Sequence, residues 1–195
     1  HCVTRRQRQM CIRDRTIGTS VTSIGKEAFE QFTALQSVTI PDSVTTIGEK
    51  AFYFASILRT LTIGTGVTSI GTSAFEACSA LPSVTIPDNV TTIGNNAFSQ
   101  CNQLTDLTIG TGVTSIGDSA FASCSGLQYV TIPDNVTSIG NNLFKSCSLL
   151  SSITLGSGIT SISDNTFESC TALQTIIIPN NTCLLYTSDA ADELR

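Results

Sequence analysis

Apolar and polar positions along the chain recur with a fixed period of 23 residues. Seven phenylalanines keep this spacing without a slip: Phe29, Phe52, Phe75, Phe98, Phe121, Phe144 and Phe167. Whole segments return with them, so the same apolar positions can stack on themselves in successive units. The period predicts a repeat solenoid, in which function lies on repeated surfaces instead of in one pocket.

Each unit contains a short trio that alternates apolar and polar residues, which is typical of a half-buried strand. The clearest copy is Val84-Thr85-Ile86, with the threonine directed outward. Stacked units are expected to pair these trios as a parallel sheet. A second extended piece follows at residues 90–94, and the spacing over residues 97–104 suggests a single helical or 3₁₀ turn.

The corner after the trio is of two alternating kinds, so the full sequence period is two units, or 46 residues. Proline fixes φ and glycine permits positive φ, and both are expected to make turns here. The prolines are Pro41, Pro87, Pro133 and Pro179, and the glycines that begin the other corners are Gly18, Gly64, Gly110 and Gly156.

Each unit carries three sequence motifs, which are the Leu-x-x-Val-x-Ile-Pro opening, the Val-x-x-Ile-Gly middle and the Ala-Phe-x-x-Cys-x-x-Leu return. Together these motifs resemble the BspA-like class of bacterial leucine-rich repeats. The resemblance implies a right-handed coil with a parallel β-sheet on one side and short strands, turns or 3₁₀/helical turns on the other. It also implies bacterial surface or secreted proteins that act in adhesion and have no catalytic residues. The pattern departs at Phe32 and Ala55, where cysteine is expected, at Ser163 in place of glycine and at Ile177 in place of threonine.

Composition changes at both ends of the array. Residues 1–15 hold five of the ten basic residues, and residues 183–195 also leave the repeat pattern. Both segments resemble translated sequencing-adapter read-through at the edges of metagenomic genes. We therefore predict non-native or disordered tails around one solenoid domain of about seven repeats at residues 16–182, an internal piece of a longer protein. Taken at face value, the basic stretch would instead be a nucleic-acid or membrane arm.

The charge balance of the array excludes several classes of partner. Residues 16–182 contain four cations and eleven acids, a net charge of 4 − 11 = −7. Without a Lys/Arg cluster the array lacks the counterion release that drives phosphate binding, so nucleic acid and anionic membrane are not expected partners. Direct membrane insertion is not expected either, because no apolar run approaches the roughly 20 residues needed to cross a bilayer.

The cysteines of the array favour packing over chemistry. Five of the eight share one column of the repeat: Cys78, Cys101, Cys124, Cys147 and Cys170. The column begins with Phe32 and Ala55, so it suits a modest apolar group, and a buried free thiol is one. With the phenylalanines these cysteines form the predicted structural ladder. Disulfides between neighbouring units and a stacked metal site are the alternatives, although no Cys-x-x-Cys or Cys/His spacing is present.

Catalysis and cofactor binding are not expected. The only histidine is His1, outside the array, so the repeats have no histidine for a general base, a nucleophile triad or a zinc site. Asp88 and Asp134 follow prolines and could suggest calcium at the corners. The loops that supply several oxygen ligands are missing, and turn capping explains these acids better.

A binding surface is predicted on the outward face of the trios, where a threonine is constant and the two positions before it vary. Such variation on a fixed scaffold suits recognition, and drift on a solvated face is the alternative. The candidate residues are Arg59, Thr60, Thr62, Thr85, Asp106, Thr108, Gln128, Tyr129 and Thr131.

Three functions remain open at this stage. The first is a non-catalytic surface or secreted module that binds a protein or glycan through this face, and the second is a passive spacer in a larger surface protein. The third is ice binding through the threonine file, which is weakened because only one threonine per unit lies on that face.

Overall fold

The computed structural model describes residues 14–178, which form a solenoid of stacked 23-residue coils. Each coil contains one longer strand and a run of hydrogen-bonded turns, and the first six coils also contain a two-residue strand. The longer strands are β1 Asp14–Thr16, β3 Ser37–Ile40, β5 Thr60–Ile63, β7 Ser83–Ile86, β9 Asp106–Ile109, β11 Tyr129–Thr131, β13 Ser152–Thr154 and β14 Thr175–Ile177. The short strands are β2 Ser23–Ile24, β4 Thr46–Ile47, β6 Ser69–Ile70, β8 Thr92–Ile93, β10 Ser115–Ile116 and β12 Ser138–Ile139.

All strand pairs are parallel and join residues 23 positions apart, as the sequence period predicts. Val84 lies opposite Leu107 on the longer strands, and Ile116 lies opposite Ile139 on the short ones. In β7 the side chains alternate between exposed and buried, with Val84 and Ile86 inward. The predicted trio is confirmed, as is the parallel sense of the strand pairs that form.

The described region reaches slightly beyond one predicted boundary. Strand β1 begins at Asp14 and pairs with β3, so the repeat pairing includes two residues assigned above to the N-terminal tail. The rest of that tail, the C-terminal tail and the corner at Pro179 lie outside the described residues. The tail assignments therefore stay predictions.

The core is a set of side-chain columns along the solenoid axis. In one coil the inward residues are Leu81, Val84, Ile86, Val90, Ile93, Ala97, Phe98 and Cys101, and all are nearly inaccessible to solvent. The phenylalanine column stacks with ring centroids 5.0 to 6.3 Å apart and nearly parallel planes. Each coil buries its apolar face against its neighbours, because like residues lie over like residues.

The segment suggested to form a helical turn is a series of hydrogen-bonded turns, and residues 14–178 contain no helix. Asn96 and Gln100 have left-handed φ values of 54° and 62°. Their N–H groups donate to Asp118 and Ala122 of the next coil instead of to their own segment. Bonds between coils alternate with turn bonds inside the segment, such as those from the Ser99 N–H to the Asn96 carbonyl and from the Cys101 N–H to the Phe98 carbonyl, so no continuous helix forms. The described region accordingly has no helix that could cross a membrane.

Glycine occurs at the corners for a reason other than the one expected from the sequence. No glycine among the described residues has a positive φ. Instead, a Cβ atom added to Gly110 would stand 2.4 Å from the carbonyl oxygen of Pro87, and one added to Gly64 would stand 2.4 Å from the carbonyl carbon of Pro41. The glycines allow the backbone of one corner to lie directly on the backbone of the corner before it.

Candidate binding surface

The predicted binding residues lie on the outward side of the longer strands and in the residues just before them. All nine are exposed, and Tyr129 is the most prominent, with 68% of its surface accessible. Thr85 lies opposite Thr108, whereas Tyr129 and Thr131 lie opposite Ser152 and Thr154. The face is therefore a row of hydroxyl groups with one projecting aromatic ring.

This face is interrupted at two places. The longer strands form three separate ladders, β1-β3-β5, β7-β9 and β11-β13-β14, whereas the short strands β2 to β12 form one continuous sheet. Among the described residues, no backbone hydrogen bond joins β5 to β7 or β9 to β11. At these two interruptions the coils are therefore joined through their short strands and separated at their longer strands.

A cleft lies at each interruption. The first has a volume of about 470 Å³ and is lined by Leu61, Thr62, Ile63, Thr65, Thr85, Pro87, Asp88 and Asn89. The second has a volume of about 680 Å³ and is lined by Leu107, Thr108, Ile109, Thr111, Tyr129, Thr131, Pro133, Asp134 and Asn135. The two linings match position by position at a spacing of 46 residues, except that Tyr129 adds a wall to the second cleft.

The structure places five of the nine predicted residues in these clefts. Thr62 and Thr85 line the first, and Thr108, Tyr129 and Thr131 line the second. The four others, Arg59, Thr60, Asp106 and Gln128, lie on the same face but line neither cleft. The predicted face is thus one surface on which two concave sites occur.

The corners beside the clefts are joined by side chains. The Asn89 amide donates to the Thr65 carbonyl oxygen at 2.6 Å, and Asn135 donates to Thr111 at the same distance. Each bond bridges an open corner, where a Gly-Thr-Gly corner precedes a Pro-Asp-Asn corner. The side chain links two coils whose backbones do not pair there.

The aspartates link the other type of corner pair, in which a Pro-Asp corner is followed by a glycine corner. Asp88 accepts hydrogen bonds from the Thr111 backbone N–H at 2.7 Å and from the Thr111 hydroxyl at 3.0 Å. The backbone N–H of Ser157 donates to Asp134 and lowers the pKa of that carboxyl below its ordinary value. These acids cap the following coil, in agreement with the capping expected from the sequence, and residues 14–178 contain no cluster of three or more metal-ligating side chains.

The clefts contain residues that were not among the predicted binding positions. Proline, aspartate and asparagine at 87–89 and 133–135 form one wall of each cleft. The sequence does carry a signal for them, because only these two Pro-Asp-Asn corners follow a Gly-Thr-Gly corner. Whether such a corner forms part of a cleft depends on the separation of two coils, and the strand pattern of the sequence does not predict that separation.

Four of the five cysteines in the column are buried, and Cys170 is partly buried. Cys78, Cys101, Cys124 and Cys147 are buried free thiols, and each Sγ atom donates to the carbonyl oxygen of a phenylalanine in the preceding coil. Burial raises the pKa of all four, and that of Cys78 to about 12. Such thiols pack as apolar groups and are poor nucleophiles or metal ligands.

Comparison with known families gives one match that covers most of the chain. The model described as BspA type leucine rich repeat region matches six copies, over residues 8–127 and 91–189. No curated protein sequence matches the chain.

Several solved structures share the fold. A leucine rich repeat protein of T. pallidum, TpLRR, is 25% identical with a TM-score of 0.62, and the match covers 84% of this chain and 68% of that one. A leucine rich cell surface protein of Faecalibacterium prausnitzii A2-165 is 26% identical with a TM-score of 0.56, covering 93% and 62%. The pneumococcal vaccine antigen PcpA, at 22% identity and a TM-score of 0.62, is covered over 61% of its length by 87% of this chain and shows the fold alone.

Proposed function

The chain belongs to the BspA-type leucine-rich repeat family, and from this premise we propose that it is a non-catalytic surface or secreted module that binds a protein or glycan through the outward face of its longer strands. The single observation that carries the proposal is the position of Tyr129. A tyrosine with 68% of its surface exposed stands beside a cleft on that face. Exposed aromatic residues beside a concavity are typical anchors of recognition surfaces.

Support for the location comes from one neighbour of similar fold, which is described as a cell surface protein and is 26% identical over 93% of this chain. The chain spans 62% of that protein, so a role in attachment is proposed for this region of a surface protein. The net charge of −7 over residues 16–182 favours neutral or cationic ligands.

A capture experiment tests the proposal. The immobilised chain is expected to retain at least one extracellular-matrix protein or neutral glycan from a defined panel. The double variant Tyr129→Ser with Asp106→Ser should weaken that capture about tenfold, because it removes the aromatic anchor. Serine already occupies this column at Ser37, Ser83 and Ser152, so the coil should fold unchanged.

Gln100→Ala is the matched control, because Gln100 lies exposed on the turn side and Ala77 occupies the same column. Its capture should equal that of the parent chain. Failure to capture any member of the panel would favour the second function, a passive spacer. Seven coils at about 4.8 Å each would contribute about 34 Å to the length of such a spacer.

The structure weakens the case for ice binding. The threonine file is broken where β5 and β7, and again β9 and β11, do not pair. A regular array of hydroxyl groups needs continuous strand spacing. We therefore do not propose that function.

A further inference from the structure

The two clefts have the size and the mixed lining of ligand sites. Volumes of about 470 and 680 Å³ lie within the roughly 300–1,000 Å³ of small-ligand pockets. The lining of the second cleft combines the apolar strand residues Leu107 and Ile109 with threonines and with the proline, aspartate and asparagine of the following corner. A ligand with one apolar face and several polar groups suits this combination.

The distance between the unpaired strands limits which polar groups of a ligand can bind between them. Several Cα atoms of β5 and β7, and of β9 and β11, lie within 8 Å of each other across the gaps. An inserted peptide strand needs two strand spacings, about 9.6 Å, so a polypeptide cannot fill the gap by pairing with both edges. A hydroxyl group can, because it donates to a carbonyl on one strand and accepts from an N–H on the other.

The charged residues that line the clefts further restrict the chemical class of the ligand. The linings contain no lysine or arginine, and their only ionisable acids are Asp88 and Asp134. Both carboxylates already accept hydrogen bonds from the next coil. An anionic ligand would meet this negative charge with no cation to offset it, so the linings favour a ligand without acidic groups.

The two clefts also repeat in space. They are two coils apart, which corresponds to roughly 10 Å along the solenoid axis at about 4.8 Å per coil. Their corner residues are identical in type, from Thr65 and Asn89 in one to Thr111 and Asn135 in the other. A polymer with regularly repeated hydroxyl groups can therefore make the same contacts twice.

We propose, resting on the binding function proposed above, that the clefts form a tandem site for a neutral oligosaccharide that lies along the solenoid axis. One sugar unit occupies each cleft with its hydroxyl groups toward the strand edges and the asparagine amides. In the second cleft the C–H face of the sugar packs on the ring of Tyr129, a residue that is largely exposed.

The side-chain amides of Asn89 and Asn135 report on each cleft separately. We would titrate the isotope-labelled full chain with cellotetraose, maltotetraose and mannotetraose, and with tetragalacturonate as the anionic match. At least one neutral tetraose should shift both amide signals with one dissociation constant, about 1 mM for such open sites. Tetragalacturonate should shift neither. No shift with any neutral tetraose, a shift at only one cleft, or equal shifts with tetragalacturonate would overturn the tandem site.

Two variants test the role of the aromatic ring. Tyr129→Ser should weaken binding roughly five- to tenfold, whereas Tyr129→Phe should keep it, because stacking needs the ring and not the hydroxyl. The spectrum of the first cleft shows whether the variant chain is folded. Unchanged affinity of Tyr129→Ser at Asn135, in a folded chain, would contradict the proposed stacking.

The result is separable from that of the capture experiment. If matrix-protein capture is lost in the Tyr129/Asp106 double variant while no neutral tetraose shifts either asparagine, the face binds protein and the oligosaccharide site is wrong. If the tetraoses bind and no panel protein is captured, the tandem site stands and the ligand class of the face is glycan.

Discussion

At the scale of single residues, glycine sets how closely neighbouring corners approach. Gly110 and Gly18 occupy the same repeat position, but a Cβ at Gly110 would meet the backbone of Pro87 at 2.4 Å and a Cβ at Gly18 would meet nothing within 4 Å. We expect Gly110→Ala to lower the free energy of unfolding by about 1–3 kcal/mol through overpacking. Gly18→Ala should stay within about 0.5 kcal/mol of the parent chain.

Urea unfolding of both variants measures this difference. Equal midpoints would show that the close contact at Gly110 relaxes without cost. The positions of these glycines were evident from the sequence, but their role was not. The alternation of Pro and Gly suggested turn dihedrals, whereas every described glycine avoids positive φ and the left-handed conformations fall to residues such as Asn96 and Gln100. Close approach of two backbones separated by 23 residues leaves no local signature.

The buried thiols make stability depend on pH. The pKa of Cys78 is raised from 9.0 to about 12, and those of Cys101 and Cys124 are raised by burial as well. Since the folded pKa lies above the unfolded one, the thiols contribute stability that is complete below pH 9 and lost as the pH rises toward 12. The urea midpoint should therefore fall across that range.

Cys101→Ala is the matched control for this prediction. Alanine occupies the same column at Ala55, so the fold accepts it. The variant should have a lower urea midpoint at pH 9, since the substitution leaves a small cavity. Its midpoint should fall less than that of the parent chain between pH 9 and pH 12. A pH dependence identical to that of the parent chain would mean that the thiols do not carry the effect.

At the scale of elements, the interruptions of the longer-strand sheet predict uneven amide exchange. Ile132 and Ile109 occupy the same repeat position and both side chains are buried. The Ile132 N–H donates to Thr154 at 2.8 Å, whereas Ile109 faces the gap between β9 and β11, two strands that lie in separate ladders of the described structure. The Ile109 amide should exchange with solvent at least about tenfold faster, since it has no ladder bond to break.

Hydrogen exchange of the native chain measures the pair directly, and Ile63 at the first cleft should behave like Ile109. The Ile116 amide, in the continuous sheet of short strands, is the internal reference for a coil that stays closed. Equal protection of Ile109 and Ile132 would indicate that β9 and β11 pair in solution and that the second cleft is closed.

Sequence patterns predicted the elements unevenly. The trio around Val84 and the extended piece containing Ile93 were found because alternation of apolar residues reports directly on a half-buried strand. For the turn segment at residues 97–104 the sequence suggested a single helical or 3₁₀ turn, and the structure has single turns there that alternate with bonds to the next coil. An apolar spacing of three to four residues does not distinguish these arrangements. The clefts were not predicted, because they arise from the separation of two coils whose individual strands follow the pattern perfectly.

At the scale of the whole molecule, the functional unit is a pair of coils. Where a Pro corner is followed by a Gly corner, the two coils lie in close contact, because glycine lets the two backbones approach. Where a described Gly-Thr-Gly corner is followed by a Pro-Asp-Asn corner, the two coils separate and form a cleft. Stacking of like residues gives the solenoid its length, and a Gly-Thr-Gly corner followed by a Pro-Asp-Asn corner gives it concave sites. Strands β1 and β3, which precede the corners of Gly18 and Pro41, stay paired. The 46-residue period therefore reflects two types of contact between neighbouring coils, which the 23-residue period does not distinguish.

This pairing predicts that a longer deletion is tolerated better than a shorter one. Removing residues 72–117 deletes 46 residues, a Pro coil and a Gly coil, and joins Gly71 to Asp118, so a Gly corner is still followed by a Pro corner. Removing residues 95–117 deletes 23 residues and only a Gly coil, which places the Pro133 corner directly on the Pro87 corner. That contact is the one in which Gly110 now approaches Pro87 too closely for any side chain.

We expect the 23-residue deletion to have the lower urea midpoint, although it keeps one more coil. In a nearest-neighbour array each removed coil costs its own interface, so length alone would rank the two variants in the opposite order. The m-value, which follows the surface exposed on unfolding, shows whether each variant still unfolds as a whole array. A 23-residue deletion at least as stable as the 46-residue one would mean that corner type does not govern how coils stack, and that the clefts are not a consequence of the paired repeat.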